Sequence, residues 1–361
     1  MISIYETGIL YRLLRGLLQQ FASVVEFFRK FRFTPVPLNK PIDIFILFEE
    51  HLGMGDMIML SPLIKTISGN KYCRSCYIDT SWPVIFDLPL THLSALEMKQ
   101  QLKQLESGEA LIVSPTMNLR HSLFLFSRHL LLGYFSSRSL YSDISNTTFF
   151  YDSKDSHYNQ RILPLLNIFN ESVIGVDSYP QLVNRKPKLD RLKNYIVIAP
   201  YLRTETRRWP SHKFIALISY ITTNFNDHVI YIVGASSKDE KDYNEQFQLN
   251  DQVIDITGEL TLLELNYLIS HADIFVGNDS GPAHISYLAN CLSIVIFGSV
   301  DPKNRLPLGF YNNYGLYNAD SCQYFPCYDS NERPSCINLE KYICIKELDI
   351  NMILRIISEQ Y

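Results

Sequence analysis

Apolar and polar positions alternate regularly along the chain, with short apolar runs separating longer segments that carry an apolar residue every three or four positions. From residue 44 onward we expect strands at IFILF, SCYIDT and ALIVSPT, and helices at GDMIMLSPLIKTIS, LSALEMKQQLKQL and HSLFLFSRHLLLGYF. Strands that alternate with helices of this length predict right-handed βαβ units and therefore a parallel sheet.

The same alternation starts again after a polar, proline-containing stretch at 176–194. There we expect strands at YIVIAP, HVIYIVGA, VIDITG, DIFVGN and SIVIFGS, and helices at KFIALISYITTNF, TLLELNYLISHA and PAHISYLAN. The chain is thus predicted to be an α/β protein with two Rossmann-like, doubly wound parallel-sheet domains. The predicted segments are an amphipathic N-terminal segment (1–40), an N-terminal domain (41–180), a linker (181–194), a C-terminal domain (195–345) and a C-terminal helix (346–361).

The N-terminal segment predicts an amphipathic helix, because the apolar residues between Leu10 and Phe28 fall on one helical face. Arg12, Arg15 and Glu26 interrupt the apolar run and no small-residue cleavage site follows, which argues against a membrane span and a secretory signal. We therefore expect a cytoplasmic protein. The basic residues beside leucine and phenylalanine suit a helix lying on an anionic membrane surface, and a helix packed on its own protein fits equally well.

Length and composition favour two folded domains and exclude one class of partner. The chain has 361 residues, of which 47% are hydrophobic and 19% are charged, as is typical of folded proteins. Its formal net charge is −4 and it has no long basic run, whereas a non-specific nucleic-acid binder needs many cations. We expect no nucleic-acid partner.

A polar turn connects the predicted strand DIFVGN to the predicted helix PAHISYLAN. Ser280 or Asp279 can serve as the N-cap of this helix. Pro282 suits its first position, and Gly281 lets the backbone approach a ligand. The free N–H groups and the positive end of the helix dipole then favour a phosphate or pyrophosphate, to which His284 would add a donor. An N-capped helix with a partly buried histidine and no ligand explains the same residues, so the motif alone leaves both interpretations open.

A second polar turn, HLGMGDMIMLSP (51–62), follows the first predicted strand. Gly53 and Gly55 permit a tight turn, and Asp56 falls at the start of the next helix, on the side where parallel sheets bind ligands. Asp56 can also be a simple N-cap, which is a common role for aspartate at a helix start. A dinucleotide fingerprint needs a third glycine, and the three residues after Asp56 are all apolar, so a nicotinamide or flavin site is disfavoured.

These two turns, together with RRWPSHKF (207–214) and FGSVDP (297–302), resemble the motifs of the bacterial heptosyltransferase family, glycosyltransferase family 9. The likeness lies in the order and spacing of the motifs over residues 41–348. It implies a GT-B architecture, in which two Rossmann-like domains face a cleft and the second holds a nucleotide sugar. It also implies inverting, metal-independent transfer of a sugar, often heptose from ADP-heptose, to lipopolysaccharide or a related lipid-linked saccharide.

The resemblance assigns roles to residues at the matching positions. It implies that Asp56 is the general base, which takes the proton of the acceptor hydroxyl. The implied donor-binding residues are Arg207, Asp279, Ser280, Gly281, Pro282 and His284. Arg207 stands where the family has a lysine, and a guanidinium can pair with a phosphate through two hydrogen bonds, although Arg207 and Arg208 can also be surface charges.

Three glycines, Gly53, Gly55 and Gly234, are expected in loops near the donor. Asp239 or Glu240, which follow the strand ending near Gly234, can bind the ribose of the donor or be solvated acids at a helix start. Two other functions fit the same motifs. One is a nucleotide-sugar-binding module without transferase activity, and the other is transfer of heptose to a protein.

Cysteine usage gives one further candidate site. Seven cysteines are an odd number, which argues against a disulfide framework, and four of them follow the spacing C-x4-C-x8-C-x7-C near the C-terminus. These four residues, the cysteine cluster, are Cys322, Cys327, Cys336 and Cys344. Four thiolates can close a structural zinc or iron site, and reduced thiols or an adventitious disulfide are the alternatives. No Asp-x-Asp occurs, so the transfer itself is expected to need no metal, and any metal at the cluster is expected to be remote from the chemistry.

Overall fold

The computed structural model describes residues 40–48, 52–80, 85–115, 130–135, 147–150, 162–169, 174–235, 237–289, 291–307, 309–327 and 336–360. Apart from residue 40, the predicted amphipathic segment lies outside these residues, so its membrane-surface role stays a prediction. Within the described ranges, no helix has both the length and the hydropathy that crossing a membrane requires.

The first parallel sheet lies in the N-terminal half of the chain. Its strands are β1 (Ile42–Leu47), β2 (Cys73–Asp79), β3 (Leu90–His92), β4 (Ala110–Ser114), β5 (Leu130–Phe135) and β6 (Thr147–Phe150). They are paired in the order β3-β2-β1-β4-β5-β6. The helices of this half are α1 (Met54–Ser68), α2 (Ala95–Gln104) and α3 (Leu163–Ile168).

One segment predicted as a helix contains a strand. The pattern of HSLFLFSRHLLLGYF predicts a helix over 121–135, but Leu130–Phe135 form β5, which pairs in parallel with β4 and β6. The prediction was wrong there because LLLGYF is a short, nearly continuous apolar run, in which periodicity cannot separate a helix from a buried strand. Residues 121–129 lie outside the described ranges.

The second parallel sheet lies in the C-terminal half. Its strands are β7 (Tyr195–Ala199), β8 (Val229–Ile232), β9 (Val253–Asp255), β10 (Ile274–Asn278), β11 (Leu292–Ile296) and β12 (Asn313–Leu316). They are paired in the order β12-β11-β10-β7-β8-β9. The helices are α4 (Ser211–Asn224), α5 (Lys238–Asn244), α6 (Leu262–Ser270), α7 (Gly281–Leu288), α8 (Ile343–Lys346) and α9 (Ile350–Gln360).

Both sheets have the same doubly wound topology. If the strands of each half are counted from its own first strand, both follow the order 3-2-1-4-5-6 of Rossmann domains. The order reverses between β1 and β4 in the first sheet and between β7 and β10 in the second. Ligands of such sheets bind outside the carboxyl ends of the strands at this switch point, and the two polar turns follow β1 and β10. The predicted architecture is confirmed, and both candidate turns lie at switch points.

The two halves pack against each other through apolar contacts and the linker. One cluster of buried apolar residues runs through both halves and includes Ile58 of α1 and Ala283 of α7. In the linker, the amide of Val183 donates to the carbonyl of Ile85 at 2.7 Å. The carbonyl of Val183 accepts from Nδ2 of Asn266 at 3.0 Å. A single linker residue therefore contacts both halves.

The C-terminal helix covers the second sheet. In α9, Ile353 and Ile357 are fully buried, and they share an apolar cluster with Phe214 and Leu217 of α4. The helix that the sequence predicts at 346–361 is thus observed at Ile350–Gln360, packed on the domain that precedes it.

Candidate active site

Asp279 lies at the end of β10, with both its amide and its side chain engaged inside the protein. Its amide donates to the carbonyl of Ile296 at 3.1 Å, which keeps β10 paired with β11. Its side chain is 2% exposed, and Oδ2 lies 3.1 Å from Nη1 of Arg207. Burial raises the pKa of this carboxyl, but the charges of Arg207, His284 and Arg305 outweigh burial and lower the pKa overall. Asp279 is therefore ionised and orients Arg207.

The start of α7 differs in detail from the prediction. The helix begins at Gly281, so that Pro282 is its second residue and not its first. Ser280 occupies the N-cap position, but its hydroxyl makes no capping hydrogen bond. That hydroxyl is buried and has no hydrogen-bond partner in the part of the chain that the structure describes. Because a buried polar group without a partner is costly, Ser280 is a candidate ligand group.

His284 lies one turn into α7, beside the same loop. Its side chain is 8% exposed, and its Nε2 lies 3.7 Å from Oδ1 of Asp279, beyond hydrogen-bond distance. Burial lowers the pKa of His284, although the charge of Asp279 opposes the shift, so the imidazole is neutral at neutral pH. Its Nδ1 is buried and, among the described residues, has no hydrogen-bond partner.

Asp56 belongs to the first turn of α1, in the other half of the molecule. The helix begins at Met54 with Gly53 at the N-cap position, so the interpretation of Asp56 as an N-cap is wrong. The Asp56 side chain is 39% exposed, and its Oδ1 lies 3.8 Å from Nη1 of Arg305 in the second half. A carboxylate this accessible can be reached by a substrate hydroxyl.

The N-terminal ends of α1 and α7 meet at the boundary between the halves. A Cβ on Gly55 would lie 2.6 Å from Nε2 of His284, and a Cβ on Gly281 would lie 2.6 Å from Cε of Met54. Neither position accepts a side chain without displacement of its neighbour. The two glycines thus allow the helix that carries Asp56 to contact the helix that carries the candidate phosphate-binding residues.

Gly234 and Glu240 form a third part of this edge of the second sheet. Gly234 follows β8, and a Cβ there would overlap the carboxylate of Glu240. Glu240 is 5% exposed, and burial raises its pKa to about 7. The expectation of a solvated acid is therefore wrong for Glu240, whereas Asp239 is exposed. A buried carboxyl group beside a glycine at a strand end suits a ligand hydroxyl.

The four thiols of the cysteine cluster line one small cavity. None of them is in a disulfide. Burial raises the pKa of Cys344 to about 11 and the other three cysteines contribute to the shift, so its thiol is protonated at neutral pH. Across the described ranges, no three His, Cys, Asp or Glu side chains have the spacing of a metal site.

The cavity of the cysteine cluster adjoins the loop that carries Arg207. Thr206 and Ser299 also line it, and their hydroxyls are buried without a hydrogen-bond partner in the described part of the chain. The amide of Cys327 donates to the carbonyl of Ser299 at 3.1 Å. Since Thr206 directly precedes Arg207, the cluster adjoins the loop of a candidate donor-binding residue, and its expected distance from the transfer chemistry stays a prediction.

Arg305 is the site residue that the sequence analysis missed. It lies in the loop after β11, at the same edge of the second sheet as Asp279, and its side chain is 15% exposed. The sequence feature that could have identified Arg305 is its position three residues after the Asp-Pro of FGSVDP. A basic residue in a loop after a strand of a doubly wound sheet is a candidate for the same cleft.

Comparison with known proteins identifies relatives over part of the chain. Residues 176–351 match the model of glycosyltransferase family 9 (heptosyltransferase). Lipopolysaccharide heptosyltransferase 3 of Escherichia coli is 32% identical over 143 residues, which are 39% of this chain and 41% of that protein. The chain thus matches about two fifths of the length of this curated relative.

Solved structures share the fold over most of the chain. A glycosyltransferase family 9 protein from Veillonella parvula aligns with a TM-score of 0.64 and 13% identity, covering 88% of this chain and 97% of that one. The iron-containing dodecameric glycosyltransferase TibC from enterotoxigenic E. coli H10407 aligns with a TM-score of 0.61 and 14% identity, covering 89% and 76%. At this level of identity the likeness shows the fold alone.

Two doubly wound domains that face each other across a cleft, with polar turns at both switch points, define a protein of the GT-B class. The family match and the curated relatives add a likeness in sequence over part of the chain. Residues 176–351 of the chain are similar to glycosyltransferase family 9, the heptosyltransferase family.

Proposed function

We propose that this protein is an inverting glycosyltransferase that moves a sugar from a nucleotide-sugar donor to a saccharide, with Asp56 as the general base. The likeness to heptosyltransferases favours heptose from ADP-heptose as the transferred sugar, and lipopolysaccharide or a related lipid-linked saccharide as the acceptor. One observation carries the proposal. The helix start that bears Asp56 contacts the helix start that bears the buried, unpartnered polar atoms of Ser280 and His284.

The reaction needs a proton acceptor on one side of the sugar and a stabilised leaving group on the other. Asp56 would take the proton of the acceptor hydroxyl while the oxygen of that hydroxyl forms a bond to the anomeric carbon. The bond from that carbon to the diphosphate breaks on the opposite face, and its electron pair leaves with the diphosphate. The configuration at the anomeric carbon is inverted as a result.

The start of α7 would stabilise the negative charge of the departing diphosphate. The first amides of an α-helix have no intrahelical partner and lie at the positive end of the dipole. The amide of Asp279 is engaged in the sheet and proline has no N–H, which leaves those of Gly281 and Ala283 in the first turn. The hydroxyl of Ser280 and the guanidinium of Arg207 would add charge-assisted hydrogen bonds.

Glu240 and Gly234 are the proposed contacts of the nucleotide. The missing side chain at Gly234 leaves the space that the carboxyl group of Glu240 fills. An ionised Glu240 would accept hydrogen bonds from two hydroxyls of a ribose, and a pKa of about 7 makes this form available at neutral pH.

The proposed transfer uses no metal ion, because backbone N–H groups and guanidinium groups supply the positive field around the leaving group. The cysteine cluster is the separate place where a structural zinc or iron ion would bind. Four thiols around one cavity suit either metal, and one protein of the same fold is described as iron-containing. The thiols would have to draw closer together around the ion. A metal there would hold the loop of Arg207 and not contact the substrate.

Asp56→Asn tests the proposal, because it keeps the shape of the side chain and removes its ability to take a proton. We expect kcat to fall by about 10²- to 10⁴-fold, while ADP raises the melting temperature as in the wild type. Asp87→Asn is the control, since Asp87 is an exposed acid of the same half of the chain and should be fully active.

The same experiment separates the alternatives. Wild-type turnover by Asp56→Asn would refute the base role. Nucleotide binding without turnover by the wild type would instead indicate a nucleotide-sugar-binding module, and turnover only with a protein acceptor would indicate a protein heptosyltransferase. A thermal-shift screen against ADP-, GDP-, UDP- and CMP-sugars identifies the donor, because the true donor stabilises the protein by mass action.

We place the reaction at the cytoplasmic face of the inner membrane, where a lipid-linked acceptor is anchored. The support is the run of basic and apolar residues predicted as an amphipathic helix at 1–40. Co-sedimentation of the full chain with anionic lipid vesicles tests this location, and equal recovery with neutral vesicles would contradict it.

A further inference from the structure

Arg305 stands at the end of a turn whose backbone is fixed by packing. Asp301 caps this turn, and its carboxylate accepts a hydrogen bond from the amide of Lys303 at 3.0 Å. The amide of Arg305 donates to the carbonyl of Pro302 at 2.9 Å. Gly315 of β12 lies directly beneath, where an added Cβ would be 2.5 Å from Cβ of Pro302. The base of the Arg305 side chain is therefore held by the second domain itself.

The guanidinium of Arg305 extends from this turn toward the first half of the molecule. Its Nη1 lies 3.8 Å from Oδ1 of Asp56, across the boundary between the halves. Burial is the largest single influence on both groups, raising the pKa of Asp279 and lowering that of His284, and the positive charge of Arg305 lowers the pKa of both. Arg305 therefore lies between the proposed base and the proposed diphosphate site.

The two arginines of the site have different partners. Arg207 is 3.1 Å from Asp279, which is 2% exposed, and forms an ion pair within the second half. Arg305 is instead directed at Asp56, which is 39% exposed and belongs to the first half. Arg305 is the more buried residue of the second pair, at 15% exposure, and its backbone belongs to a fixed turn. Arg305 can therefore define the position of the Asp56 side chain.

We propose that Arg305 is a positioning residue for Asp56, which it holds across the cleft in the orientation that accepts the proton of the acceptor hydroxyl. This inference rests on the proposed role of Asp56 as general base. A partly exposed aspartate in the first turn of a helix has several staggered rotamers, and a cation on one side favours one of them. Because a misplacement of about 1 Å can cost about 10²-fold in rate, the effect is expected in kcat.

The test compares Arg305→Gln and Arg305→Lys with a control on the same turn. Lys303→Gln removes a cation whose side chain is 76% exposed and whose partner is Asp301 at 2.9 Å. We expect Arg305→Gln to lower kcat about 10²-fold. The donor KM and the Kd of ADP should stay within about twofold of the wild type, because only the position of the base changes. Arg305→Lys should recover part of the activity, and Lys303→Gln should be fully active.

A double substitution shows whether Arg305 acts through Asp56. If it does, adding Arg305→Gln to Asp56→Asn should lower kcat no further than Asp56→Asn alone, because residues that act as a unit are not additive. Melting temperatures of all variants control for a loss of folding. A merely structural role would lower the melting temperature and would reduce kcat in the double variant as well.

The possible outcomes separate this inference from the proposed function. A loss of ADP affinity with kcat retained would overturn the inference, because Arg305 would then bind the diphosphate directly. Full additivity in the double variant would overturn it as well. Wild-type kcat in Arg305→Gln beside an inactive Asp56→Asn would refute this inference alone, whereas full activity of Asp56→Asn would refute the base role and the inference together.

Discussion

The serine hydroxyl groups around α7 differ in whether they have a hydrogen-bond partner within the protein. The hydroxyl of Ser286 donates to the carbonyl of Ala283 at 2.8 Å and lies 2.6 Å from Oγ of Ser293. Ser280, six residues earlier, is half-buried, but its hydroxyl oxygen is also inaccessible and has no partner among the residues described. Such a group costs about 1–3 kcal/mol in the absence of a ligand. The contrast favours a ligand-binding role for Ser280 and a structural role for Ser286.

This contrast predicts that replacing Ser280 or Ser286 with alanine has opposite effects on stability and on ADP binding. Ser280→Ala should leave the free energy of unfolding unchanged or raise it, because it removes an unsatisfied group. It should weaken ADP binding about tenfold or more, since a hydrogen bond to a charged group contributes about 1.5 kcal/mol or more. Ser286→Ala should lower the free energy of unfolding by about 1 kcal/mol and leave ADP affinity unchanged.

Urea unfolding and titration calorimetry measure the two quantities. The interpretation of Ser280 fails if its alanine variant loses stability and binds ADP as the wild type does.

The sequence predicted some of these residues and not others, for physical reasons. Asp56 and His284 follow strands in a motif order that can be read along the chain, and the structure brings them to one place. The burial of Glu240 depends on its packing beside Gly234, and the approach of Arg305 to Asp56 depends on how the halves dock. Neither contact leaves a local pattern in the sequence.

At the scale of elements, the helix starts divide into those closed by side-chain caps and those that the site uses. The helices α2 and α6 begin with capping boxes, formed by Ser94 with Glu97 and by Thr261 with Glu264. The helices α1 and α7 lack such side-chain caps and begin at glycine-containing turns in the cleft. Among the described elements, β5 lies in a stretch predicted as a helix, a continuous apolar run where pairing partners decide the structure.

The contact between α1 and α7 predicts that Gly55 does not tolerate a side chain. Gly55→Ala would place a Cβ 2.6 Å from Nε2 of His284, so the imidazole or the helix must move. We expect a loss of about 1–3 kcal/mol in stability and a marked loss of ADP affinity. Gly175→Ala is the matched control, because a Cβ there has no heavy atom within 4 Å and its φ of −135° is ordinary for alanine.

Equilibrium unfolding and ADP titration of both variants check the expectation. Full ADP affinity and activity in Gly55→Ala would mean that the two helices separate when the protein works.

At the scale of the whole molecule, the site combines turns that lie far apart along the chain. The alternation of strands and helices predicts two parallel sheets, whereas the docking of the halves and the return of the C-terminal segment depend on contacts between distant residues. Nε1 of Trp209 donates to the carbonyl of Leu348 at 3.2 Å, and Nζ of Lys213 donates to the same carbonyl at 2.8 Å. These hydrogen bonds to Leu348 therefore anchor the C-terminal segment beside the loop that carries Arg207.

The cysteine cluster lies beside the same loop, because its cavity is also lined by Thr206. The metal proposed there can be tested in the full chain. Purified without chelators, the protein should contain about one zinc or iron ion per molecule by elemental analysis. Cys322→Ser or Cys344→Ser should remove most of the metal and weaken ADP binding, because the cavity adjoins Thr206. Cys291→Ser is the control, since Cys291 is 3% exposed and lies outside the cluster, so it should lower stability without changing metal content.

The decisive measurement pairs metal content with thiol accessibility. Metal-free wild-type protein that binds ADP at full affinity, and whose four cluster thiols all react after unfolding, would refute the metal. Such a result would leave the cluster as buried, protonated thiols that contribute only packing, in agreement with the raised pKa values of Cys327 and Cys344. The opposite result is a bound metal and thiols that react only after a chelator has removed it. The metal would then connect the C-terminal segment to the proposed donor site, because its ligands lie on both sides of the cavity.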